Sequence, residues 1–457
     1  MKNKTKRVFW GFFSLDYKAI EAYLEEMAEK GWMLEKVGRM TAKFRAIEPK
    51  KLKFYVDVFK EGGPLTPENT KEAEEYRRLC QESGWTFITS QDYLQFFYAD
   101  GDKNPIPIQT DEVLEQKIVE TTLWRGELRS LFIFSIIAVI ALVRYFPIKH
   151  NNLLSFVGVA GTLLFPLLCI SILASTVYGL MRVLRARRNV KRGLPIEKPT
   201  LKSARRRIIA FHGPALTIAF IFILAFVVDA FFMPRIVMLS LLGPVLGMGI
   251  GLGLRYFIKK KTTDKKDSVI YVTLSFMFVI FALLIANSLL INRPVTHTYK
   301  EDSIPDGYPI VTVGELLDGS QQGSLVSREF DFGMSPITPK HYNYREIRDF
   351  NGERKGIRVH YYQTIHPYFA EVIFNGITEE LKRGIKWRGM YFLTKTIITD
   401  DKMKALWDVD YLALTEDRDE MIIQKGNIVV HLEGDIDFED RQLRDLIIDR
   451  FSMDSQL

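Results

Sequence analysis

The stretch LLSFVGVAGTLLFPLLCISILASTVYGLM, Leu153–Met181, runs from end to end without Asp, Glu, Lys or Arg. An apolar segment of roughly 20 residues crosses the ~30 Å hydrocarbon layer as a helix. It has to be a helix, because lipid offers the backbone no hydrogen-bond partner. Runs of the same kind flank it: Leu131–Ile148, with Arg144 as its single charge, then Ile208–Val228, Ile236–Leu254 and Val269–Ile291. Five runs predict an all-α five-helix transmembrane bundle within residues 129–292, with spans at 131–148, 153–181, 208–232, 236–257 and 269–291. Ordinary globular sequence remains on either side, so a chain of 457 residues divides into three parts. These are a soluble block at 1–103 with a linker and juxtamembrane helix at 104–128, the membrane block, and a second soluble block at 293–457.

The net charge of +7 is concentrated between the runs. Eleven cations from Arg182 to Arg207 separate the second run from the third, and Arg255, Lys259, Lys260, Lys261, Lys265 and Lys266 separate the fourth from the fifth. The other two connections hold only Lys149, beside Arg144, and Arg235. Lys and Arg accumulate in short cytoplasmic loops. The expected product is a multi-pass protein of the cell membrane with a cytoplasmic N-terminus and an extracytoplasmic C-terminus. With apolar runs on both sides, the basic loops point to topology and lipid rather than to direct nucleic acid binding. The two cysteines, Cys80 and Cys169, fall in different blocks and predict no disulfide. Val8–Phe13 is too short for the apolar core of a cleavable signal peptide.

The first block reads as an internal repeat. Residues 7–13 alternate as a strand, and Asp16 opens a helical pattern with Ile20, Tyr23, Leu24 and Met27 on one face. Gly31 ends that helix, and strands follow at Trp32–Leu34 and Met40–Ile47. Leu52–Phe59 begins the pattern again. Thr66-Pro67 reads as a helix start, Ser83-Gly84 as its end, and Trp85–Ile88 with Tyr93–Tyr98 as a hairpin. The expected fold is a cytoplasmic α+β domain of ferredoxin-like type built from a βαββ repeat. Trp32 and Trp85 occupy equivalent helix exits, as core plugs or, alternatively, as interaction residues. Glu21, Glu25, Glu26 and Glu29 read as a solvated helix face or as a dock for a basic partner.

Val8-Phe9-Trp10, the helix Ala19–Lys30, Gly31-Trp32-Met33-Leu34 and Tyr55-Val56-Asp57-Val58 resemble the bacterial family called domain of unknown function 2812. The resemblance covers about residues 1–128. It implies a cytoplasmic module ahead of membrane helices, and a regulatory setting beside transcriptional regulators of the PadR type. It implies no catalytic residue.

Asn104-Pro105-Ile106-Pro107 reads as a stiff extended break. The helix after Thr110-Asp111-Glu112 reads as an interfacial stalk leading to the membrane. In the fourth run Gly243, Gly247 and Gly251 recur every four residues, the spacing that lets helices pack closely, within the bundle or between copies in a homo-oligomer. His212, Asp229, Asn287 and Ser288 are the main polar groups in the apolar runs, and Asp229 with Arg235 is expected to form a local interfacial ion pair.

The last block reads as an extracytoplasmic α+β domain. Thr312-Val313-Gly314-Glu315 fits a capping box. Strands are expected at Leu325–Phe332, His341–Phe350, Ile357–Thr364, Leu406–Leu414, Met421–Gln424 and Ile428–Leu432, with helices at Pro367–Lys382 and Phe438–Phe451. Its end resembles extracytoplasmic domains of anti-sigma-type regulators through the Trp407 strand, the hairpin and the terminal helix. His341, His360, His366 and His431 have no zinc-binding spacing, and no nucleophile elbow is present. Asp435, Asp437, Glu439 and Asp440 lack the spacing of a calcium loop, and Asp437 suits a helix N-terminus. The expectation is a signalling protein without catalysis and without a cofactor or metal. An external sensor would act on a cytoplasmic domain that engages a PadR-type regulator. The alternative is a transporter or a transporter accessory subunit.

Overall fold

A computed structural model describes most of residues 4–232, then Gly247 and residues 249–259, and most of residues 304–451. The chain separates into two compact units. One holds Met1–Leu142, Leu167–Ala219 and Ser240–Leu289; the other holds Val143–Pro166, Phe220–Leu239 and Leu290–Leu457.

The repeat is real, but it makes two sheets. β1 (Thr5–Phe9), α1 (Tyr17–Glu29), β2 (Trp32–Val37) and β3 (Thr41–Ala46) form an antiparallel sheet of order β1-β3-β2. β4 (Leu52–Val58), α2 (Lys71–Glu82), β5 (Thr86–Gln91) and β6 (Leu94–Asp100) form a second sheet of order β4-β6-β5. Both helices leave through a glycine with left-handed backbone, Gly31 at φ 80° and Gly84 at φ 92°, ahead of the paired tryptophans. A single ferredoxin-like sheet is absent because α1 lies along the free edge of β4. Glu21 accepts from the Val56 N–H at 3.0 Å and Glu25 from the Phe54 N–H at 3.4 Å. Carboxylates thus take the amides that another strand would use. Phe54, Val56, Leu94 and Phe96 face the core built around α1, while Tyr55, Phe97 and Ala99 face Cys80 and Trp85. The second helix starts at Lys71 with Thr70 as its cap, accepting from the Ala73 N–H at 3.3 Å, rather than at Thr66-Pro67.

The expected five-helix bundle is overturned. Among the described residues, two helices are long and apolar enough to cross a membrane, Phe156–Asn189 and Leu201–Phe231. They belong to α5 (Phe156–Lys191) and α6 (Leu201–Phe232). Only 17% of each apolar window is buried, against a mostly buried window for the core helix of a soluble domain. The first run gives α4 (Arg129–Tyr145), whose apolar part, Leu131–Val143, falls short of a ~30 Å layer at ~1.5 Å per residue. The described helix runs to Tyr145; Phe146 and Pro147 lie outside the described residues. The fourth run is described only at Gly247 and within α7 (residues 249–259); the fifth lies outside the described residues. The sequence treated Arg182–Arg207 as a loop. Arg182 to Lys191 instead continue α5, and Lys202 to Arg207 begin α6, because Lys and Arg are good helix formers.

The second unit carries a seven-stranded antiparallel sheet. Its strands are β7 (Ser324–Gly333), β8 (Lys340–Phe350), β9 (Glu353–Gln363), β12 (Ile397–Ile398), β13 (Tyr411–Thr415), β14 (Glu420–Lys425) and β15 (Ile428–Gly434), in the order β12-β13-β14-β15-β9-β8-β7. β10 (Ile385–Trp387) and β11 (Met390–Phe392) make a separate hairpin. The capping box forms as read, with Glu315 accepting from the Thr312 N–H at 2.8 Å, and it opens α8 (Val313–Leu316). One sheet face buries Phe330, Tyr344, Val359, Ile423 and Val430 beneath α10 (Asp401–Trp407) and α11 (Arg441–Arg450). Trp407 closes α10 rather than lying in a strand, and its indole N–H donates to the Phe438 carbonyl at 3.1 Å. Asp440, not Asp437, caps α11. The other face buries Tyr362, Ala413, Ile422 and Val429 beneath α9 (Pro367–Arg383).

The short 3-10 turn His150–Leu153, ahead of α5, docks on that second face. Leu153 is buried with Phe374 and Ile377, and the Ser335 hydroxyl donates to its carbonyl at 2.5 Å. His150 is buried against α9 at Gly376, where a Cβ would lie 2.3 Å from its Nδ1. Gly376→Ala should therefore lower the melting temperature, although alanine favours a helix interior over glycine by about 1 kcal/mol. Adding His150→Ala should recover most of the loss. Thermal unfolding followed by circular dichroism reads both, and an unchanged or raised midpoint for Gly376→Ala alone would contradict the docking.

Candidate functional site

The first unit holds a cluster of long-range ion pairs between its two sheets and the basic ends of the apolar helices. Asp16 stands just ahead of α1, yet its side chain caps no helical amide. The carboxylate has no exposed surface and accepts from the Phe13 N–H at 3.2 Å. Arg207 of α6 donates to its other oxygen, and Arg182 Nη1 of α5 lies 3.9 Å from that oxygen. Arg207 is held in turn by the Tyr178 and Ser203 hydroxyls, each at 3.4 Å.

Apolar contacts surround the pair. Phe9 and Phe13 each bring a ring centroid within 5.6 Å of His212, and Phe13 also meets Phe211 edge-on. A Cβ on Gly11 would fall 2.9 Å from Ile208, so the approach of this loop to α6 depends on glycine. The ion pair is thus shielded from water on the side of the helix. Removing one member of such a buried pair leaves an uncompensated charge, which costs about 3–5 kcal/mol.

The second half of the repeat makes a parallel contact. Asp92 sits at the β5–β6 turn with φ 52°, where its carboxylate accepts from Arg255 at 2.6 Å and Lys259 at 2.7 Å, both on α7. The Glu68 N–H also donates to the Lys259 carbonyl at 3.3 Å. α3 (Glu112–Leu123) bridges the two sides: Glu115 lies 3.7 Å from Lys18 on α1, and Glu120 pairs with Arg187 on α5. Glu26 pairs with Arg205 at 2.9 Å, but both are substantially exposed and contribute little.

The sequence readings fare unevenly. The acidic helix face is neither bare nor uniform. Glu21 and Glu25 hold β4, Glu26 holds Arg205, and burial pushes the Glu21 carboxyl up to about 7 against the pull of Lys18 and the Val56 N–H. Trp85 is buried against Tyr55, and its indole N–H donates to the Ile106 carbonyl at 3.0 Å, tying the expected stiff break to α2. Trp32 is half-buried on the core, with Lys6 above its ring at 5.5 Å. Asp229 accepts from the Phe156 and Val157 N–H groups at 2.9 and 2.8 Å, so it caps α5; Arg235 lies outside the described residues. Among the described residues, a Cβ on Gly247 or Gly251 meets nothing within 4 Å; Gly243 is not described.

The sequence also missed a pair in the second unit. His360 and His431 stack at 5.3 Å across adjacent strands, and His431 Nε2 lies 2.9 Å from Glu420. Burial, with His431 beside it, pulls His360 down to about 3. Among the described residues no group of three or more His, Cys, Asp or Glu side chains could hold a metal ion.

Residues 16–124 match the family described as Protein of unknown function (DUF2812), so the chain carries a domain of that family. The match begins at Asp16 and takes in Trp32, Trp85, Asp92 and the bridging helix α3. No curated protein and no solved structure matches the chain.

Two outcomes follow for the N-terminal unit. In a double-mutant cycle, Asp16→Ala and Arg207→Ala should couple by about 1–3 kcal/mol in thermal unfolding of the purified full chain; additive effects would refute the pair. Glu21 has a folded pKa above its unfolded value, so its neutral form favours folding. That contribution is present below pH 4.5 and is lost as pH rises through about 7. Glu21→Gln should therefore flatten the decline in melting temperature between pH 5 and pH 8. An equally steep decline in the variant would assign the effect elsewhere.

Proposed function

We propose that this chain, with its DUF2812 domain clamped to basic helix ends, is a multi-pass membrane regulatory protein that works without catalysis. The domain of residues 293–457 faces the extracytoplasmic side and senses an envelope condition. The N-terminal domain is cytoplasmic, like the cations it holds, and engages a transcriptional regulator of the PadR type. The observation that carries this reading is the fully buried Asp16 carboxylate between Arg207 and Arg182. A tether would need no such contact. A buried charge pair between a soluble domain and two apolar helices instead links the domain's position to that of the helices.

Two further observations support a relay. α3 is held at Glu115 by the N-terminal domain and at Glu120 by α5, so a shift of α5 bears on the domain through a second path. In the other unit the α5 N-terminus is fixed by Asp229, and the turn ahead of it is buried under α9. A transporter would use Asp229 as its intramembrane acid, but both carboxylate oxygens are already taken up by the α5 amides, and no observation favours that alternative.

Deleting the chain should change transcripts controlled by a PadR-type regulator, and Asp16→Ala with Asp92→Ala should reproduce the change while the protein remains in the membrane. Unchanged transcripts in the deletion strain would sink the regulatory reading. A solute-uptake defect in their place would favour transport. An alkaline phosphatase fusion after Leu457 should be active; an inactive fusion would overturn the orientation.

A further inference from the structure

The cations at the joined ends of α5 and α6 divide into two sets. Arg182, Arg187, Arg205 and Arg207 point toward acidic groups of the N-terminal unit. Arg185, Arg188 and Lys191 on α5, Arg192 in the turn after it, and Lys202 and Arg206 on α6 are exposed, and none has an acidic partner among the described residues. The two helices lie side by side here, since Tyr178 of α5 meets both Phe211 and Arg207 of α6. Six exposed positive groups therefore lie at these helix ends with no acidic partner among the described residues.

Their depth along the helices is informative. Exposed apolar side chains continue to Leu184 on α5, through Leu180 at 39%, Met181 at 54% and Leu184 itself at 51%. On α6 they resume at Ile209, which is 72% exposed. On α5 the next position is Arg185, and on α6 Arg206 stands three positions ahead of Ile209. An apolar girdle that gives way within one helical turn to cations with no described acidic partner matches the boundary between acyl chains and headgroups. RNA or an acidic protein would find the same charge but no use for the adjoining apolar girdle.

We propose that this surface binds the phosphodiester headgroups of anionic bilayer lipid. The acyl chains lie on Leu180, Met181 and Leu184, and the headgroup phosphates lie between Arg185, Arg188, Arg206 and their neighbours. Clustered Lys and Arg beside a membrane helix concentrate anionic lipid in this way. The exposed cations are not members of the Asp16 contact, so lipid bound to them leaves that contact intact. The proposal rests on α5 and α6 crossing a bilayer and is independent of the regulatory reading.

The test uses the full chain purified in a neutral detergent and titrated with phosphatidylglycerol, phosphatidylcholine, inorganic phosphate or single-stranded RNA. A ligand that binds the native state raises the melting temperature. Phosphatidylglycerol should raise it and phosphatidylcholine should not. In Arg185→Gln/Arg188→Gln/Lys191→Gln/Arg192→Gln the shift should fall by roughly half or more. Lys202→Gln/Arg206→Gln gives the same reading from the other helix if the first variant does not fold. Equal shifts with both lipids, or a full shift retained in the variants, would overturn the proposal. So would an equal shift with inorganic phosphate, which would make the site one for free phosphate, or a larger one with RNA. Extraction of the chain from membranes by an alkaline wash is a separate readout: release would refute the membrane reading itself.

Discussion

A carboxylate with no exposed surface, set against two guanidinium groups from two apolar helices, constrains everything around it in the N-terminal unit. Asp16 precedes α1, so fixing its carboxylate fixes where α1 begins. α1 in turn holds the edge of β4 through Glu21 and Glu25, and β4 carries the sheet whose far turn presents Asp92 to α7. The two ends of the repeat are therefore not independent contacts. Gln91 reinforces the link, accepting from the Trp10 indole at 3.0 Å and donating to the Gly38 carbonyl at 3.0 Å. The desolvation cost of burying the Asp16 carboxylate is offset mainly by Arg207 and the Phe13 N–H, with Arg182 at 3.9 Å adding charge but no hydrogen bond.

The second unit meets the apolar helices by different means. A carboxylate from α6 caps α5, and a serine hydroxyl with an apolar side chain seats the preceding turn on the sheet domain. Within that domain a buried carboxylate again meets a helix. Glu346, with no exposed surface, accepts from Arg328, Arg348, Tyr344 and the Val313 N–H, and so anchors α8 to β8. Both units use a fully buried carboxylate to hold a helix, Asp16 for α6 and Glu346 for α8.

Local features of this fold were legible in the sequence, and long-range pairings were not. The βαββ repeat, the two Gly-Trp exits and the capping box at Thr312 all follow from neighbouring residues. Asp16 and Arg207 stand 191 positions apart, and no periodicity links them. The cations of α5 and α6 misled in an instructive way: the same residues serve as topological signal, as helix formers and as counter-charges, and composition cannot separate the three. Helix length was misjudged for that reason, since a charge boundary was taken for a helix boundary. The edge of β4 illustrates the same limit. Four glutamates on α1 look like a solvated face until the strand beside them is known. His360 and His431 likewise meet only once strand register is fixed.

The central claim, that Asp16 and Asp92 hold the N-terminal domain to the basic helix ends, is tested most directly by hydrogen exchange on the full chain in lipid. Asp16→Asn combined with Asp92→Asn should speed exchange of amides in residues 5–16 and 86–98, while β8, β9 and β15 keep their protection. Unchanged protection throughout residues 5–98 in that variant would contradict the account.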